Sequence, residues 1–255
     1  MGNKKAKQFW LGMSNISTVT AMINRKRKIK DHLYCNSQEV SNHILDYRKT
    51  KEENLIALRK ILKNKNIFDL YGSVVNDMYK FKFSEESSVD YSIQKTLYSV
   101  SELDKLGQIS LLEHSFGVFN QMYLAEKSTY GQFNDFFLLS ALIHDFGKST
   151  TLRTEFHLSS EDKHHKNSAK YLQQKIDSLK KNFTKEENIT LGYVVDAIRI
   201  HHDNLNKITS VHMTNENAEQ QFEENSFHQI ILDFLKAADL KQRTIEIEYV
   251  EQVTL

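Results

Sequence analysis

An all-α fold is the expectation set by this sequence, and three observations carry it. There are no prolines and only eight glycines in 255 residues, so few helix breakers interrupt the chain. Lys, Glu, Leu and Ile are abundant. The apolar residues recur at the three- and four-residue spacing of amphipathic helices.

A chain of 255 residues suits one large domain or one and a half ordinary ones and can bury a core big enough to tolerate a polar site. Hydrophobic residues make up 40% and charged residues 26%, as in soluble globular proteins. No apolar run approaches the ~20 residues that span a bilayer, so no transmembrane segment is expected. The single cysteine, Cys35, excludes an internal disulfide and fits a reducing compartment. The N-terminus lacks the continuous apolar core of a secretory signal, and a cytoplasmic protein is expected.

The net charge is only +1, but residues 1–30 hold Lys4, Lys5, Lys7, Arg25, Lys26, Arg27, Lys28 and Lys30 and no acid. That stretch alone carries +8, which leaves −7 for the remainder. Residues 1–35 therefore read as a basic N-terminal arm. It is either a solvated tail or a segment that gains from counterion release at phosphates, with nucleic acid as its partner.

Residues 36–106 read as a helical N-terminal region without recognisable chemistry. Val40, Ile44, Leu45, Leu55, Leu58, Ile61 and Leu62 predict one long amphipathic helix or two between residues 37 and 66. Residues 67–82 predict another, although Val74 and Val75 leave a short strand open. The polar run from Ser84 to Ser88 reads as a loop or a helix start. His32 and His43 stand alone, and isolated histidines are more often surface or core residues than ligands.

The informative part is 107–255. Leu111, Leu112, Phe116, Phe119 and Met122 form an apolar stripe with His114 beside it. Phe136, Phe137, Ser140 and Ala141 lie at helical spacing from His144, which is followed by Asp145, a turn-permitting Gly147 and Lys148. His164 and His165 open a helix whose core face holds Ser168, Ala169, Leu172 and Ile176, and either histidine can face inward. Leu191, Val194, Val195 and Ile198 lead to His201 and His202. A last helix, beginning near residue 226, runs through Ile231, Leu232 and Leu235 to Asp239.

A carboxylate on such an apolar line costs several kcal/mol to bury unless a cation or proton neutralises it. Each histidine alone reads as structural. Five helices that each bring His or Asp to an inner face read together as a divalent-metal site of mixed imidazole and carboxylate donors, suited to Mn, Fe, Ni, Zn or Mg. No Gly-rich phosphate loop, cysteine-based zinc pattern or nucleophile elbow occurs, so neither ATP-driven transfer nor serine or cysteine catalysis is indicated.

The order His114, His144-Asp145, Asp239 resembles the H…HD…D signature of the HD superfamily of metal-dependent phosphohydrolases, and Ala141 to Lys148 is very similar to its central motif. The resemblance covers about residues 107–245. It implies an HD-like helical bundle with additional N-terminal helices, and hydrolysis of a phosphomonoester or phosphodiester, a nucleotide above all. The additional histidines resemble the branch that binds two ions. Asp145 would then bridge the ions, His114, His144 and Asp239 would complete one, and His164 with His201 or His202 the other. Asp145 and Lys148 become the catalytic candidates, and Lys148 and Arg199 the candidates for holding phosphoryl oxygens. After Asp203 comes Asn204-Leu205-Asn206 instead of a Gly-Tyr-Pro element, so the resemblance does not extend to cyclic-di-GMP hydrolysis. Two other functions stay open: a nuclease that uses the basic arm, and a non-catalytic sensing or scaffolding module.

Overall fold

The computed structural model describes residues 43–89, 103–104, 106–131, 134–179, 182–202 and 218–253. The basic arm, Cys35 and the residues after His202 that part from the Gly-Tyr-Pro pattern lie outside them. Eight α-helices occur in order among the described residues: α1 (Lys51–Ile61), α2 (Lys65–Lys80), α3 (Leu111–Tyr130), α4 (Phe137–Ile143), α5 (Thr150–Glu155), α6 (His164–Leu179), α7 (Lys185–Ile200) and α8 (Ala218–Val253). A 3₁₀ turn over Phe146–Lys148 separates α4 from α5. Apart from one bridge between Ser87 and Ser110, the described residues hold no β-structure, and the fold is all-α.

Local chemistry sets the helix starts. Thr50 with Glu53 and Thr184 with Glu187 form capping boxes at α1 and α7, each satisfying two backbone donors that a helix end otherwise leaves free. Asn64, Ser110 and Ser149 cap α2, α3 and α5 with side-chain oxygens. Val74 and Val75 are buried inside helix α2, because its packed face outweighs their mild strand preference.

Two boundaries differ from the pattern reading. Ile44 and Leu45 are not helical. Their backbone N–H groups donate to the Asn120 side chain on α3 at 2.9 and 3.1 Å, and Asn120 returns a bond to the Leu45 carbonyl at 2.7 Å. The segment is thereby tied down in an irregular form before α1 begins at Lys51. The last helix starts at Ala218, eight residues earlier than expected, and runs unbroken to Val253.

Helix α3 lies along α8 and α4, α6 along α7, and α7 and α4 also touch α8. One apolar cluster runs from Leu45 and Leu58 through Ile67, Val74 and Phe119 to Leu142, Leu172, Ile198 and Leu235. The N-terminal helices share that core. The close approach of the 3₁₀ turn to α6 depends on Gly147, where a Cβ would stand 2.0 Å from the His164 carbonyl oxygen. The Ser168 hydroxyl seals this contact, accepting from the Gly147 N–H at 2.8 Å and donating to the His164 carbonyl at 3.0 Å.

One buried acid away from this region makes stability respond to pH. Burial, reinforced by Asp135 and partly offset by the Asn134 N–H, pushes the Glu126 carboxyl up to about 8, from an ordinary value of 4.5. The folded state thus holds a proton that the unfolded state has lost, and stability falls as pH rises through this window. Glu126→Gln is expected to melt increasingly above the wild type as the pH is raised from 6 to 9. Parallel melting curves with a constant offset across that range would refute the assignment.

Candidate metal centre

The residues that sequence spacing singled out converge. His114 sits on the first turn of α3, His144 directly follows α4, and Asp145 occupies the corner before the 3₁₀ turn. His164 begins α6, while His201 ends α7 with His202 after it. Asp239 comes from the middle of α8.

They form two groups with one residue between them. His114, His144 and Asp239 offer donor atoms within 4.8 Å of one another, as do Asp145, His164, His201 and His202. Asp145 turns one oxygen to each group. Its Oδ2 lies 3.3 Å from His114 Nε2 and 3.4 Å from His144 Nε2, whereas Oδ1 lies 3.3 Å from His164 Nε2. Asp239 Oδ1 is 3.3 Å from His114 Nε2 and 3.8 Å from His144 Nε2.

Divalent ions fit this donor set on two counts. Ligand bonds of about 2.0–2.2 Å place neighbouring donors roughly 3–3.5 Å apart, close to the spacings just given. In addition, His114 Nε2, His144 Nε2, His201 Nε2, both ring nitrogens of His164, Asp145 Oδ1 and Asp239 Oδ1 are buried and make no hydrogen bond among the described residues. Burying so many polar atoms without partners costs of order 1–3 kcal/mol each, a cost that a cation would reverse. The Nδ1 atoms of His144 and His201 meet the carbonyls of Ala141 and Ile198 at 2.9 and 2.6 Å, which leaves Nε2 pointing inward in both.

Electrostatics divide the two groups. Burial would raise Asp145, but His144 and Lys148, followed by His114 and His164, hold it well below the carboxylate range. Burial acts on Asp239 in the same sense and is overcome by His114 and His144. Burial and the Arg243 guanidinium press His114 downward, yet Glu246 and the adjacent Asp145 and Asp239 carboxylates bring it up to about 10. In the other group burial draws His201 well below its usual range and His202 down to about 4. The His201–His202 pair is therefore neutral, the state in which imidazole can ligate.

The remaining candidates take different places. The Lys148 side chain is 4% exposed, its Nζ 2.6 Å from Asp145 Oδ2 and 2.8 Å from the Ser88 carbonyl oxygen. Arg199 is not brought to the cluster; its exposed side chain pairs with Asp196 one turn back on α7. A residue at that position turns outward because its neighbours Ala197 and Ile198 take the buried face. His165 is buried with its ring 5.5 Å from those of His201 and His202, outside both groups.

Pattern reading missed Glu246, which touches the first group, and Arg243 and Ser88, which stand behind it. Glu246 Oε1 meets His114 Nδ1 at 2.8 Å, Arg243 binds Glu246 Oε2 at 2.9 Å, and Arg243 also reaches the Ser88 carbonyl at 2.8 Å. Asp239, Arg243 and Glu246 stand at i, i+4 and i+7 on α8, the spacing of a single helix face. That spacing was the available signal.

The family model for the HD domain matches residues 111–245. The chain belongs to the HD-domain family. The match spans His114, His144-Asp145 and Asp239 and places the chain in a superfamily of metal-dependent phosphohydrolases. No curated protein and no solved structure matches the chain. Among the described residues, no helix is long and apolar enough to cross a membrane.

Replacing His201 and His202 together by Ala is expected to remove one equivalent of bound Mn(II) and spare the other, read by metal analysis after equilibrium dialysis. Two retained equivalents would show that these histidines are not ligands.

Proposed function

We propose that this chain is a metal-dependent hydrolase of phosphomonoesters or phosphodiesters, with nucleotides as the substrate class. The observation that carries the reading is the position of Asp145, whose two oxygens face two separate groups of buried, unpartnered donor atoms. His114, His144 and Asp239 would hold one ion and His164, His201 and His202 the other, with Asp145 shared between them. The chemistry such ions supply when bound is neutralisation of charge on phosphoryl oxygens and a water acidic enough to attack phosphorus near neutral pH.

The protein's own groups orient and balance this site. Asp145 would contribute negative charge to offset the cations that these residues would hold. Lys148 has three donors, and the contacts to Asp145 and Ser88 engage two of them. The third would be left for a nonbridging phosphoryl oxygen. Arg199, paired at the surface with Asp196, plays no part in this reading.

A polynucleotide as substrate is favoured by one observation, the eight basic and no acidic side chains of residues 1–30. Salt-sensitive binding of an oligonucleotide that is lost on deleting those residues would support that form of the reading.

Asp145→Asn keeps the side chain's size and removes its charge. Hydrolysis of bis(p-nitrophenyl) phosphate or of nucleotides with added Mn(II) is expected to fall by about 10³-fold or more, with bound metal reduced and helical content retained. If Asp145 served only as a local cap, its loss would cost about 0.5–2 kcal/mol of stability and nothing else. Unchanged metal content together with unchanged activity would defeat the reading.

A further inference from the structure

We infer that Glu246 and Arg243 are positioning residues that fix His114 and Asp145 before an ion arrives, making the His114 group the tighter of the two. The inference rests on the metal-binding reading above. It starts from a closed ring of buried side chains. From Asp145 Oδ2 the ring passes to Lys148 Nζ at 2.6 Å, to the Ser88 carbonyl at 2.8 Å and to Arg243 Nη2 at 2.8 Å. From Arg243 Nη1 it continues to Glu246 Oε2 at 2.9 Å and from Glu246 Oε1 to His114 Nδ1 at 2.8 Å. His114 Nε2, 3.3 Å from Asp145 Oδ2, closes it.

Each member does separate work. The Glu246 carboxylate accepts the Nδ1–H of His114, which keeps a proton on that nitrogen and aims Nε2 at Asp145 and Asp239, where an arriving cation would replace the Nε2 proton. Gln242 Nε2 donates to the same Glu246 oxygen at 3.0 Å, so the carboxylate cannot swing away. Arg243 uses its fork to span two partners, Glu246 Oε2 and the Ser88 hydroxyl, both at 2.9 Å from Nη1. Ser88 thereby joins the segment after α2 to the site, with its carbonyl accepting from Lys148 and Arg243 together. Ser88 and Glu246 both fall outside the residues matched by the family model.

Among the described residues, His164 and His201 of the second group have no carboxylate behind them. His201 Nδ1 meets only a neutral backbone carbonyl, and neither ring nitrogen of His164 makes a hydrogen bond among the described residues. A carboxylate holds an imidazole N–H more firmly than a carbonyl does, because a charged acceptor makes the stronger bond. The asymmetry predicts sequential loading, with the His114 group filled first.

The test uses the full chain, stripped by chelation, in the His201→Ala/His202→Ala background, where only the His114 group remains. Calorimetric titration with Mn(II) is expected to show about 10- to 100-fold weaker binding when Glu246→Gln is added, the usual effect of losing a support to a metal-bound histidine. In the otherwise wild-type chain the same substitution is expected to bring the two affinities together or invert their order. A role confined to folding would lower the melting temperature of the metal-free protein and leave both affinities alone, and that result would overturn the inference. Should Glu246→Gln fail to fold, Arg243→Lys keeps the charge and removes the fork. Wild-type affinity at the His114 group in that variant would overturn the inference equally. A parent chain that takes up no Mn(II) would sink the metal reading and this inference with it, whereas two equivalents unaffected by either substitution would sink the inference alone.

Discussion

The Asp145 carboxylate is the group on which the rest of the site depends. It is 2% exposed, and an isolated charge at such depth would be untenable. Lys148 and Arg243 stand beside its Oδ2 at 2.6 and 3.7 Å, and three imidazoles approach its two oxygens at 3.3 to 3.4 Å. Those neighbours arrive from α3, the end of α4, the 3₁₀ turn, α6 and α8. Their convergence on one side chain links the packing of the bundle to the chemistry at its centre.

The bundle delivers these groups with little help from loops. Asp145 lies at the corner where α4 ends and the 3₁₀ turn begins, and that turn sits against α6 because residue 147 has no side chain. Ser168 then fixes the spacing between the turn and His164. On the opposite side Gly117 on α3 leaves space for the end of the Gln242 side chain of α8, which a Cβ would meet at 2.2 Å. These two close approaches bring His164 and the α8 stripe within reach of the same carboxylate.

Much of this was legible in the sequence because it follows helical period. His114, His144, Asp145, His164, His201 and Asp239 each stand beside an apolar stripe, and a stripe fixes which way a neighbouring residue points. The residues that escaped did so for identifiable reasons. Arg243 and Glu246 belong to a stretch, Lys241 to Glu248, whose charges resemble a solvated face, and only the tertiary contact with His114 shows that one edge is buried. Ser88 acts through its carbonyl oxygen, which every residue possesses and no residue type advertises. The irregular course of Ile44 and Leu45 is imposed by Asn120, some 75 positions away. Arg199 was drawn toward the site by its nearness in sequence to His201, but its partner Asp196 holds it on the outer face of α7.

Helix α8 carries Asp239, Arg243 and Glu246 on one continuous stretch of backbone. Their mutual geometry is consequently written in residue count and not in loop conformation. Each residue added or removed between them turns the downstream part of the helix by about 100° around the axis. A single insertion after Arg243 would swing Glu246 away from His114 while leaving Asp239 in register. This part of the chain is thus expected to admit substitutions at its outward positions but no change of length, so that its spelling can drift while its metre cannot.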